Sequence, residues 1–393
     1  MRIDLSFFKN VLTQLIIMII AVHFFGHYLP LKVQQTFLAI SWTLKQILLL
    51  VLPFIIFGCL LSTLLAQKKR ALFFILGLFV LVTVSNFLSA LVGYFGGWFG
   101  VSKGLIRMQP AIISVTALQP LWDWSAFIPS STNNGWALLA GLLAGLLFSF
   151  YPNRLVTQAA HYLNQLIAFF LKKLFIPVLP LFALGFILKI QYEGLFAQVI
   201  QNYMPIFMLI TITNILYLAI MYAFAANFRI SLWLQYLKNA LPTGIMGFST
   251  MSSLATMPLT LAAAEKNTEQ SDIVQAVIPA TANNHLIGNS IATPIIAIAI
   301  LLSFGKTLPN FYQFLPFAGM FVLYKFAVAG VPAGSVMVVL PLLEKYLGFS
   351  GEMSALLMPL YMLLDPLITG SNVLGNGAFV ILFNKLYKLK QKT

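Results

Sequence analysis

A chain of 393 residues that is 60% hydrophobic, only 8% charged and contains 35 phenylalanines, with a mean hydropathy of +0.92, carries more apolar surface than an ordinary water-soluble core can bury. Its apolar runs are long and do not alternate. That excludes a transmembrane barrel and leaves spanning helices, each needing about 20 mostly apolar residues, with no irregular backbone facing lipid. The net charge of +14 does not point to nucleic acid, because the basic residues gather at the ends of apolar runs and are not interleaved with aromatics on a polar face.

The first apolar run, about 11 to 29, follows Arg2 and Lys9 and lacks a small-residue cleavage site, so it reads as an uncleaved first helix. Apolar periodicity and breakers predict helices near 9–30, 37–66, 71–98, 134–151, 161–190 and 198–226. Lys68, Lys69 and Arg70 fill the gap after the second, and Lys385, Lys388, Lys390 and Lys392 follow the last apolar run. Positive charge at span ends marks cytoplasm, so both termini are expected there. The lone Cys59 forms no intramolecular disulfide. Between the third and fourth helices, residues 101–134 carry Trp122, Asp123, Trp124 and the run PSSTNNG, which reads as an outer loop with interfacial aromatics.

Beyond Phe228 the apolar runs are interrupted by small and polar residues and proline in four places: STMSSLATMP (249–258), TANNHLIGN (281–289), AGVPAGS (329–335) and DPLITGSNVLGN (365–376). His285-Leu286-Ile287-Gly288-Asn289 matches Asn372-Val373-Leu374-Gly375-Asn376 at an offset of 87 residues, 376 less 289, and each follows a proline-containing break. The order predicts a duplicated unit, with each matched segment the unwound centre of a broken helix and Asp365-Pro366 adding to the second break. Unwinding a helix at membrane depth frees N–H and C=O groups that cost several kcal/mol each if unpaired, so such breaks persist where they line a cavity or bind something. Short helices that begin there aim positive N-terminal dipoles at one point, which suits a carboxylate.

Residues 230–390 resemble the dicarboxylate/amino acid:cation symporter family, which includes glutamate transporter homologues. Ser252-Ser253-Leu254-Ala255-Thr256-Met257-Pro258 is similar to that family's first hairpin tip, and Ala329-Gly330-Val331-Pro332-Ala333-Gly334-Ser335 to its second. The family's seventh-helix motif Asn-Met-Asp-Gly-Thr falls on His285 to Asn289, placing His285 at the asparagine and Ile287 at the aspartate. Its eighth-helix pattern falls on Tyr361, Asp365, Ile368, Asn372 and Asn376. The aspartate that meets a substrate amino group is thus retained as Asp365, whereas Ile368 replaces the arginine that pairs an acidic side chain. The acidic sodium ligands are gone as well.

The resemblance implies an all-α polytopic membrane protein with eight transmembrane helices, two re-entrant helical hairpins and inverted repeats, working as an elevator-type transporter. Residues 1–70 would supply scaffold helices one and two, 71–100 the third helix of the moving domain, 101–194 the outer loop and scaffold helices four and five, and 195–393 the rest of the moving domain. Substrate would be held by Ser252, Ser253, Thr256, His285, Val331, Pro332, Gly334, Asp365, Thr369 and Asn372, and a coupling cation by His285, Asn289, Asn372, Asn376 and Asp365. The expected cargo is a small carboxylate, an amino acid or dicarboxylate, with sodium or protons as coupling ion and no cofactor. The expected setting is a homotrimer in a bacterial plasma membrane, spanning it many times and binding no nucleic acid.

Plainer readings stand beside these. Ser252, Ser253 and Thr256 are the residue types that satisfy backbone at a turn, and His285 fits a satisfied core histidine. Asp365 would be a protonated or lysine-paired structural acid, with Lys325 as one partner. Uncoupled exchange, or a non-transporting structural or channel protein, are the alternative functions. An enzyme is not expected: no G-x-S-x-G or H-E-x-x-H is present.

Overall fold

The computed structural model describes residues 11–65, 72–106, 118–124, 134–192, 194, 196–268, 271–328 and 334–391, and among them there is no strand. The first half supplies α1 (Val11–Phe25), α2 (Leu31–Leu65), α3 (Leu72–Ser102), α4 (Asn134–Phe150), α5 (Arg154–Phe169), α6 (Ile176–Tyr192) and α7 (Phe196–Ala225). The second half supplies α8 (Ile230–Thr250), α9 (Ser253–Asn267), α10 (Ser271–Thr281), α11 (Ile287–Ser303), α12 (Phe311–Tyr324), α13 (Gly334–Leu347) and α14 (Gly351–Gln391).

Leu76–Ser102, Tyr203–Ala225 and Leu360–Tyr387 are long and apolar enough to cross a membrane by length and composition. Their outer faces agree. On α7 the exposed side chains Met204, Met208, Ile212, Leu216, Ile220 and Phe224 recur every four residues, and that spacing makes one apolar stripe that winds slowly around the helix. Leu76, Val80, Val84 and Leu88 do the same on α3. Continuous apolar stripes of this length face lipid, not water.

The region predicted as one helix at 161–190 is a longer run in three parts, because a π-helical turn, Phe170–Phe175, separates α5 from α6. Pro177 and Pro180 lie just beyond it, and proline cannot donate to the preceding turn, so the helix widens there. The run starts at Arg154 because the Asn153 side chain accepts from Leu155 N at 2.8 Å and caps it.

The predicted break at 281–289 is present: α10 ends at Thr281 and α11 begins at Ile287. The predicted break at 365–376 is not. Those residues lie inside α14, which is continuous through Asp365-Pro366. The small residues there serve close packing. A Cβ on Gly370 would lie 3.0 Å from the Gly244 carbonyl oxygen, and one on Gly375 would strike the Ile287 side chain. The pattern of polar and small residues repeats, but the unwinding does not, so the two matched segments are not two copies of a broken helix.

α8 and α9 form a hairpin whose tip turns at Met251, left-handed at φ 51°, with Ser252 capping α9. α12 leads through a 3₁₀ turn, Lys325–Ala327, towards the start of α13. Residues 329–333 between them lie outside the described part. α2 packs against α4, α5 and α6, while α11 packs against α3, α7 and α14. Every residue of α11 from Ile287 to Leu301 is buried. The broken helix therefore sits at the centre, in a sheath of α3, α7 and α14.

Candidate substrate site at the helix break

Two neighbouring helices satisfy the backbone freed at the break. From α3, the Asn86 side chain donates to Asn284 O at 2.7 Å and accepts from Leu286 N at 2.9 Å, bridging the unwound segment on both sides. From α14, Asn372 Oδ1 accepts from Gly288 N at 2.9 Å and Asn289 N at 3.3 Å. Asn284 N and His285 N both return to Thr281 O. The first amides of α11 are thus spent on protein acceptors, so its N-terminus is capped and does not present free donors to a guest.

His285 is completely buried and used at both ring nitrogens. Nδ1 lies 3.1 Å from Asn376 Oδ1 and Nε2 lies 2.8 Å from the Ser85 hydroxyl. With Asn376 accepting, Nδ1 carries the proton and Nε2 accepts from serine, which is the bonding pattern of a neutral imidazole. Its ring also packs on Phe379, centroids 4.4 Å apart. His285 thereby ties α3 to α14 across the break.

Asn289 is the hub on the other side. Its Nδ2 donates to Tyr361 OH at 2.6 Å and to Thr293 Oγ1 at 3.1 Å, while its Oδ1 accepts from Lys325 Nζ in a short bond. Tyr361 OH also bonds Ser335 Oγ, at the start of α13. Lys325, itself buried, reaches Leu286 O at 3.4 Å and lies 4.0 Å from the Phe321 ring centroid. Both limbs of the second hairpin, at Lys325 and at Ser335, are thus fastened to the broken helix and to α14.

A cavity of about 30 Å³ lies where these elements meet, lined by Met251, Ser253, Ala282, Asn283, Leu286, Val328, Ser335, Asp365, Thr369 and Asn372. Of the predicted substrate residues it brings together Ser253, Asp365, Thr369 and Asn372. Ser252 and Thr256 serve the tip itself: Ser252 Oγ accepts from Ala255 N at 3.3 Å, and the buried Thr256 hydroxyl donates to the Ser252 and Ser253 carbonyls at 3.0 Å. His285 stands behind the wall and does not line it. Gly334 begins α13 next to the lining Ser335. Val331 and Pro332 lie outside the described residues.

Two functional features escaped the sequence reading. Asn283 lines the cavity, and its buried Oδ1 has no hydrogen-bond partner among the described residues, a condition that buried polar atoms rarely tolerate without a ligand or water. The other is Ser85-Asn86, which an apolar third helix gave little reason to single out, although an asparagine in mid-span is itself a signal.

Of the predicted cation residues, Asn289, Asn372 and Asn376 do not offer an open set of oxygens. Asn376 Oδ1 is engaged by His285, Asn372 Oδ1 by the amides of Gly288 and Asn289, and Asn289 Oδ1 by Lys325. A hard cation is held by several oxygens, with carboxylates to balance its charge. Here N–H donors stand against those oxygens.

Compared with known families, residues 11–386 match the family model described as the sodium:dicarboxylate symporter family. No individual curated protein matches the chain.

Proposed function

The chain belongs to the sodium:dicarboxylate symporter family, and from that premise we propose that it is a secondary active transporter for a small amino acid with an uncharged side chain. The observation that carries this reading is the composition of the cavity wall. α9 begins at Ser253 and α13 begins beside Ser335, and both residues line the cavity, so two helix N-termini with their hydroxyls face one point and suit a carboxylate. The same wall carries the Asp365 carboxylate and Asn283 Oδ1, which has no partner among the described residues, both acceptors for an ammonium group. Among the described lining residues there is no arginine or lysine. A second carboxylate on the solute would thus enter without a counter-charge, and glutamate and aspartate are disfavoured.

A cavity of about 30 Å³ holds water but not an amino acid. Loading therefore requires a hairpin tip to swing out, which makes the tips near Ser253 and next to Ser335 the gates. Helices α1, α2, α4, α5 and α6 would form the scaffold of a homotrimer, and α3, α7 and the hairpins with α11 and α14 the elevator domain. The packing of α2 against α4, α5 and α6, and of α11 against α3, α7 and α14, supports that division. Both termini would face the cytoplasm. Family membership favours coupling to a cation, sodium or proton, with uncoupled exchange as the alternative.

The test is uptake into proteoliposomes with a panel of labelled amino acids. Saturable uptake of small neutral amino acids is expected, reduced tenfold or more in a folded Asp365→Asn protein. Selective uptake of glutamate would refute the assignment, and absence of saturable uptake across the panel would refute transport of this class.

A further inference from the structure

We propose that the Lys325 ammonium is a resident cation at the helix break, standing where a symporter would hold a dissociable sodium ion, so that this chain works without sodium. The inference rests on the transport reading above and concerns its ion requirement.

In the two formal charges of its buried interior, the protein differs from a sodium site. Among the described residues, Lys325 and Asp365 are the only buried lysine, arginine, aspartate or glutamate side chains. Lys325 comes from the second hairpin and directs Nζ at the first turn of α11, where it meets Asn289 Oδ1 and Leu286 O. A backbone carbonyl and a side-chain amide oxygen at an unwound segment are the kind of ligands a hard monovalent cation takes. The Phe321 ring, 4.0 Å from Nζ, adds a further surface that favours positive charge. The amine is therefore provided with cation ligands.

The remaining oxygens lead to the same result. Asn372 and Asn376, which the family pattern would assign to a coupling cation, have turned their Oδ1 atoms to N–H donors of Gly288, Asn289 and His285. Putting sodium there would break those bonds and strand buried donors. A tethered ammonium supplies the same unit of charge with no entropy of capture, and it cannot leave with the cargo. With Lys325 charged as proposed and Asp365 ionised, a zwitterionic guest leaves the interior balanced, whereas an added sodium would leave it with one uncompensated charge.

The purified full-length protein in detergent is compared in sodium chloride and in choline chloride at equal ionic strength, reading the midpoint of thermal unfolding, and proteoliposome uptake is run in the same two salts. The wild type is expected to show the same midpoint within about 1 °C and uptake rates within about twofold, since a salt that binds neither state shifts no equilibrium. A sodium-dependent rise of several degrees, or a tenfold loss of uptake in choline, would overturn the inference. Lys325→Ala, which empties the position, is expected to gain stabilisation by sodium or methylammonium, and Lys325→Arg to remain indifferent to both. If Lys325→Ala does not fold, the wild-type comparison still decides. The unfolding arm needs no substrate, so a midpoint indifferent to sodium without any saturable uptake would count against the transport reading alone.

Discussion

Replacing Asn86 by leucine removes the two bonds that this side chain makes to the break while keeping its branched outline. The native side chain is fully buried, donates to Asn284 O at 2.7 Å and accepts from Leu286 N at 2.9 Å. The substitution leaves one buried carbonyl and one buried amide without partners, and each such group costs about 1–3 kcal/mol. The two together make about 2–6 kcal/mol, which acts locally on residues 284–286 because the helices on either side keep their own ladders. A loss of about 2 kcal/mol accelerates opening-limited amide exchange roughly thirty-fold. Hydrogen exchange followed by mass spectrometry should show that acceleration at Asn284–Leu286, and no comparable change on α7. Exchange at the break within threefold of wild type in Asn86→Leu would mean that α11 holds its start unaided, and would refute the bridging role.

Three further outcomes follow from the same contacts. Asn283→Leu should raise the substrate KM about tenfold or more with little change in the unfolding midpoint, because the Oδ1 it removes has no partner among the described residues; an unchanged KM would remove Asn283 from the site. Gly288→Ala should destabilise by at least 1–3 kcal/mol, since the new Cβ would sit 2.5 Å from the Ile368 carbonyl oxygen and 2.8 Å from Ser371 Cβ; a wild-type midpoint would show that α14 can yield. Tyr361→Phe strips the hydroxyl that receives Asn289 Nδ2 and bonds Ser335, and about 1–3 kcal/mol of fastening is lost from the second hairpin. Faster exchange at the first turn of α13 would register it.

The membrane class and the first break were legible because they depend on signals that are local in the chain: apolar length, proline, and amides in mid-run. Asn283, Asn284 and His285 in a greasy stretch announce an unwound backbone, and the helix stops at Thr281 as they require. The same signal misled at 371–376. Gly370, Gly375, Asn372 and Asn376 lie on an intact α14, where the glycines admit Gly244 and Ile287 and the asparagines face the other helix's break. One polar segment is unwound and the other supplies the bonds that compensate it. Composition is alike in the two roles, and only the partner's position separates them. For the same reason Asn86 and Ser85 stayed hidden, about 200 residues from what they touch.

That division of labour also bears on how the elevator would move. The break is tied to α3 through Asn86 and His285–Ser85, to α14 through Asn372 and Asn376, and to the second hairpin through Lys325. The bonds to α3 and α14 join elements that travel together on the proposed reading, so nothing in them must break during a crossing. The bonds from Lys325 and Ser335 are different, because they join the second hairpin to elements it must leave when it opens. In a sodium-driven symporter, arrival of the ion can close such a gate. With the cation fixed on the hairpin itself, as proposed, gate closure would instead make the contact between Lys325, Asn289 and Leu286 O, and gate opening would expose it to water. On that reading closing would be governed by how the guest completes the wall between Asp365 and Ser335.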